Sequence, residues 1–179
     1  VYQAYRAAIG RYAAKHGQFG GEFSFNRMSW VKPNFLWMMY RSGWGTKENQ
    51  EVTLAVRLRR SAFDSLLAAA VQSSFDPALH GSEAEWRHAV AHSDVRLQWD
   101  PDHDPAGKPL ERRAIQLGLR GEYLAGYGRD WLLDIEDISD FVAGQRNTPQ
   151  EAGIASLLTP REEPYPVEDP KIAARLGLK

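Results

Sequence analysis

Ten residues, "EVTLAVRLRR" at 51–60, restrict the fold of this chain more than any other stretch. Val52, Leu54, Val56 and Leu58 alternate with polar Thr53, Arg57 and Arg59, the two-residue period of a strand with one buried face. Further strand candidates are "VYQAYR", "DVRLQW", "RRAIQLGLRG" and "WLLDIEDI". Helical patterns lie between them. "AAIGRYAAKHG" carries Ile9, Tyr12 and Ala13 at helical spacing and ends on Gly17, which supplies a left-handed C-cap. "SAFDSLLAAAV" has Ser61 as N-cap with Asp64 at the capping-box position, and "SEAEWRHAVAHS" has Ser82 with Glu85 three residues on. "EYLAGYGRD" and "SDFVAGQRN" read as short helical turns, and "QFGGEFSFN" as an irregular loop or short strand. The regular β–α–β rhythm of a doubly wound sheet is missing, as are the G-x-G-x-x-G and Walker loops. The expected class is therefore α+β, a single domain with a mostly antiparallel mixed sheet and packed helices.

At 179 residues the chain suits one core. Residues 1–148 are expected to form it. The Pro- and acid-rich residues 149–179 read as an extension that packs on or trails from the core, with "KIAARLGLK" as a short helix. The chain has no cysteine, which excludes disulfides, thiolate nucleophiles and Cys-ligated zinc. A net charge of −1 gives no global pull toward nucleic acid or membrane, so electrostatic steering must come from local patches. No apolar run approaches the roughly 20 residues of a membrane-spanning helix. The first residues lack the basic-then-apolar layout of a signal peptide, and a cytoplasmic location with no membrane partner is the expectation.

The densest aromatic stretch is "SWVKPNFLWMMYRSGWG", residues 29–45. Pro33 suits the first turn of a helix that runs to about Ser42 and stops at Gly43. Phe35 to Tyr40 are apolar all round, the pattern of a helix buried on most sides. Two readings stand side by side. In one, Trp37, Met38 and Met39 are core, Lys32 is a solvated flank and Arg41 neutralises its own helix end. In the other, Arg27, Ser29, Trp30, Lys32, Asn34 and Arg41 wall a pocket for something anionic and flat. The helix N-terminus would then seat a phosphate, and the indole of Trp30 would stack on a ring. Segment 27–60 holds seven Lys and Arg against two acids, a local patch that suits a nucleotide or single-stranded nucleic acid.

A second constellation is "QWDPDHDPAGKPLE", residues 98–111. Asp100, Asp102, Asp104 and Glu111 match positions 1, 3, 5 and 12 of a calcium loop, but Pro105 stands where a sharp turn demands glycine. No metal site is expected. The three prolines suit a stiff lid instead, from which Trp99 and His103 reach over a ligand. Glu111 begins the next strand, where a carboxylate can support an oxocarbenium-like transition state or act as general base. Glu111, His103 and Asp100 form the candidate catalytic set, with plain surface charge as the alternative for Glu111. Asp134 and Glu136 share one strand face and read as solvated charge.

Through "FSFNRMSWVKPNFLWMMYRSGWGTK", "LQWDPDHDP" and "ERRAIQLGLRG", the chain resembles a bacterial and fungal family catalogued as domain of unknown function 4291. That resemblance runs from Tyr2 to about Val167 and implies no activity. The element order is also similar to ADP-ribosyltransferase folds, in which NAD lies in a cleft between two small sheets. The similarity implies that Gln3 or Tyr5 holds the nicotinamide amide, with Arg6 as the first-strand cation. It also implies that Trp30 stacks on the ring, Glu111 supports the ribosyl cation, and the loop 99–110 shapes the acceptor site. Pro109 departs from that pattern, since glutamine or glutamate is frequent two residues before the glutamate. The resulting expectation is an NAD-dependent ADP-ribosyltransferase-like enzyme acting on nucleic acid or nucleotide. The alternative is a non-catalytic module that binds a nucleotide or single-stranded nucleic acid.

Overall fold

A computed structural model describes residues 1–151 and 153–178, so Ala152 and Lys179 of the expected extension lie outside the described residues. In chain order the elements are β1 (Tyr2–Tyr5), α1 (Ala7–His16), β2 (Ser29–Val31), α2 (Phe35–Ser42), β3 (Val52–Leu58), α3 (Arg60–Ala69) and β4 (Val71–Gln72). There follow α4 (Glu83–His92), β5 (Val95–His103), β6 (Pro109–Leu119), α5 (Gly121–Ala125), β7 (Leu132–Asp137), α6 (Ser139–Glu151) and α7 (Pro170–Leu176). A π-helical turn, Gly126–Asp130, continues α5. The class is α+β.

The strands form two small sheets. The first has order β1-β3-β7 and is antiparallel throughout; the second has order β2-β6-β5-β4, with β4 and β5 its parallel pair. One isolated bridge joins them, where Tyr2 N–H donates to Lys32 O at 2.7 Å and Lys32 N–H to Tyr2 O at 3.2 Å. Alternation decides which face of the second sheet is buried. Val31, Val95, Leu97, Leu117 and Leu119 face inward, each fully buried, and pack with Leu54 of β3 and Leu66 of α3. A second cluster holds Phe35, Met38 and Met39 of α2 against Val142 of α6.

Several local expectations hold. Gly17 and Gly43 end α1 and α2 in the left-handed region, and Ser82 Oγ accepts from Glu85 N–H at the start of α4. Four do not. Pro33 lies outside α2, whose N-cap is Asn34: a side chain that accepts from Trp37 N–H at 2.8 Å defines the start better than a fixed φ does. Ser61 and Asp64 do not cap α3, which begins after Arg59 without a side-chain cap; Asp64 accepts instead from Tyr165 Oη at 2.6 Å. Thr53 is fully buried, because α6 covers that face of β3 and Ser139 Oγ accepts its N–H at 3.0 Å. The supposed lid at 98–111 is a β-hairpin. β5 and β6 pair past Pro101 to the His103–Pro109 contact, leaving only a turn closed by Asp104 and Lys108.

Candidate functional site

The outward face of the second sheet is polar, and strand register lays it out in rows. Trp30 pairs with Gly118, and Gly118 with Arg96; Gln98 pairs with Gln116, and Asp100 with Ala114. Because side chains alternate, Arg96, Gln98 and Asp100 share a face with Gln116, Gly118 and Trp30, and Lys32 follows Trp30 onto the same side. Hydrogen bonds agree with this layout. Gln98 Nε2 donates to Asp100 Oδ1 at 2.9 Å and Gln116 Nε2 to Asp100 Oδ2 at 2.8 Å, so both carboxylate oxygens are held by amides. Gly118 is the floor beneath the indole: a Cβ there would lie 2.9 Å from Trp30 Cη2 and 2.7 Å from Met28 Sδ.

Helix α2 walls one side of this face. Its Tyr40 Oη donates to the carbonyls of Asp104 and Pro105, both at 3.1 Å, which ties the helix to the β5–β6 hairpin. Trp37 lies 5.2 Å from the Lys32 ammonium, whose Nζ donates to Trp30 O at 3.3 Å. Lys32 is only 8% exposed. Burial pushes its ammonium down to about 8, with repulsion from Arg41 adding to the drop and attraction from Asp100 opposing it. Strand register thus sets Trp30, Lys32 and Asp100 on one face, and Arg41 of α2 is near enough to repel the Lys32 ammonium. Among the described residues, Arg27, Lys32, Arg41 and Arg96 make no ion pair, although seven such pairs are formed elsewhere.

The other sequence-derived candidates lie elsewhere. Gln3, Tyr5 and Ser29 belong to a closed internal network beneath the opposite face. Gln3 Nε2 lies 2.7 Å from Tyr5 Oη, 3.1 Å from Trp30 O and 3.2 Å from Ser29 Oγ. Tyr127 Oη donates to Gln3 Oε1 at 2.6 Å, and Tyr5 Oη and Ser29 Oγ share a hydrogen at 2.7 Å. Burial pushes the Tyr5 phenol up to about 12 and the Tyr127 phenol well above its usual range. Arg6 pairs with Glu22 at 2.6 Å at the start of α1, and Arg27 is exposed. Asn34 caps α2 and donates from Nδ2 to Glu162 at 3.2 Å. The same Glu162 accepts Phe35 N–H at 2.5 Å, so an internal carboxylate fills the expected phosphate seat. Burial pushes the Glu162 carboxyl above its usual range.

Trp99 faces the core side, where its Nε1 donates to Leu176 O at 3.0 Å and Arg113 lies 5.2 Å over its ring. His103 packs on Tyr40 with ring centroids 4.9 Å apart. Asp102 is buried and paired with Arg112, and the Asp104 carboxylate accepts two turn amides at 2.9 Å, so these carboxylates do not converge. Glu111 is exposed and makes no hydrogen bond or ion pair among the described residues. It stands three residues from Ala114 along β6, about 10 Å, in the stretch where the register with β5 shifts. A concavity of about 540 Å³ lies apart from the polar face, between β3, β7 and the segment 161–165. Its lining mixes Arg57, Arg60 and Arg161 with Asp134, Glu136 and Glu163.

Arg96, Gln98, Gln116 and Gly118 were not among the sequence candidates. A signal for them exists: "VRLQWD" and "IQLGL" alternate these residues with Val95, Leu97, Trp99, Ile115, Leu117 and Leu119. Among the described residues, no group of three or more metal-ligating side chains could hold an ion, and no helix is long and apolar enough to cross a membrane. No curated protein and no solved structure matches the chain. The family model described as a domain of unknown function, DUF4291, matches residues 1–165, and the chain belongs to that family.

Proposed function

We propose that the polar face of the second sheet binds an anionic nucleotide, with NAD as the ligand and ADP-ribosyl transfer as the reaction. One observation carries this reading: Lys32 and Arg96 share a face with Trp30 and Asp100, Arg41 of α2 is near enough to repel Lys32, and none of the three cations has an ion-pair partner among the described residues. Unneutralised guanidinium and ammonium groups favour phosphate, and an indole favours a flat ring. Asp100 takes the part that the sequence had assigned to Glu111. In the reaction the bond from ribose C1′ to the nicotinamide nitrogen breaks, and its electron pair leaves with nicotinamide. The Asp100 carboxylate stabilises the ribosyl cation, and an acceptor hydroxyl or amine of a nucleotide or nucleic acid bonds C1′ and loses its proton.

A second reading, binding without chemistry, is favoured by one fact: both Asp100 oxygens already accept glutamine amides. The two separate when nicotinamide release and ligand binding are measured on the same samples, with NAD and nucleotide or oligonucleotide acceptors. Transfer predicts release by the parent chain, lowered about 100-fold in Asp100→Asn and unchanged in Glu111→Gln. Saturable NAD binding without release with any acceptor would leave the binding module. Absence of both ends the nucleotide reading.

A further inference from the structure

Resting on that nucleotide reading, we infer that Arg96 is the phosphate-recognising residue of the face and that the ligand class is a phosphorylated nucleotide rather than a nucleoside. Arg96 is half-buried on β5, and its Nε is buried with no hydrogen-bond partner among the described residues. The contrast with Arg120, the other half-buried arginine, is direct. Arg120 Nε donates to Asp94 at 2.9 Å and its Nη2 to Ala91 O at 2.8 Å. Arginine cannot shed its proton to escape burial, and a buried donor left unpaired is costly. The Arg96 guanidinium therefore keeps one buried N–H donor, Nε, without an acceptor among the described residues.

Register shows what that acceptor accompanies. Gly118 separates Arg96 from Trp30 and bears no side chain, and the indole extends over it. The ring platform ends one strand spacing, about 5 Å, from the Arg96 backbone. A ligand lying across the strands puts its base on Trp30 and its phosphate on the Arg96 fork, whose planar geometry matches two phosphate oxygens. Lys32 and Asp100 then face the remainder of the molecule, further along the strands.

The test titrates NAD, AMP and adenosine into the parent chain, Arg96→Gln and Arg96→Lys, following tryptophan fluorescence and heat. The parent is expected to bind AMP at least about tenfold more tightly than adenosine. Arg96→Gln is expected to erase that ratio, and Arg96→Lys to recover only part of it, since a point charge cannot form the bidentate contact. Equal thermal melting of the three chains confirms folding. NAD binding by the parent without an AMP-over-adenosine preference overturns the Arg96 assignment and leaves the nucleotide reading intact, as does a preference retained in Arg96→Gln. No binding of any of the three ligands overturns both.

Discussion

Two polar clusters sit on opposite faces of the same short strand, β2, and differ in one respect. Gln3, Tyr5, Ser29 and Tyr127 are enclosed, uncharged and bonded to one another. Lys32, Asp100 and Arg96 are charged, and the two cations retain capacity that the protein does not use: an ammonium with one carbonyl partner and a guanidinium whose buried Nε has no acceptor among the described residues. Burial alone would rank the first cluster higher, since Gln3 is 2% exposed. What separates a built-in support from a binding face is unmet hydrogen-bonding capacity, because satisfied networks rigidify while unsatisfied ones await a partner.

The comparison breaks most easily at Gln3. Gln3→Leu strands the hydroxyl of Tyr127 and removes a donor from Tyr5 and Ser29, so urea unfolding should show a loss of about 2–4 kcal/mol. A loss below about 1 kcal/mol would mean the closed cluster does not support the fold.

The next effect is on pH dependence, where the clusters act with opposite sign. Folded Lys32 holds its proton only to about 8, against an ordinary 10.5, so its burial costs stability at neutral pH. That cost is relieved as pH rises from about 8 toward 10.5. Folded Tyr5 keeps its proton to about 12, against an ordinary 10.0, so its contribution is full below pH 10 and is lost above it. Melting temperature should therefore rise between pH 8 and 10 and fall beyond. Lys32→Met should remove the rise and gain about 1–3 kcal/mol at pH 7. The Trp30 carbonyl keeps Gln3 as a donor in that variant.

The smallest effect is expected at Glu111. Its exposed side chain predicts a stability change within about 0.5 kcal/mol for Glu111→Gln and no change in NAD binding by titration. A large binding defect would return the carboxylate role to the hairpin.

Local signals were legible. The 52–58 strand, the glycine ends of α1 and α2 and the Ser82 cap depend on a few neighbouring residues, and all were readable in the sequence. Trp30 and Lys32 stood out as an indole and a cation just ahead of an apolar helix, whereas the strand that sets them on one face was not read. Gln3 was misassigned because its satisfying partner, Tyr127, is 124 residues away. Nothing near a polar strand residue tells whether a distant hydroxyl will meet it. The hairpin was missed for a related reason: three prolines and an acidic run argue for loop, while cross-strand pairing from Val95 to His103 overrides them. Arg96, Gln98 and Gln116 needed only the period-two reading already applied to 52–58, extended to both strands of that hairpin.

The join between the two sheets has a mechanical consequence. Among the described residues, one isolated bridge, Tyr2 with Lys32, links the two sheets by main-chain hydrogen bonds alongside their shared apolar core, and Lys32 carries the buried ammonium. Any contact with that ammonium therefore falls on the residue whose own backbone carries the bridge between the sheets.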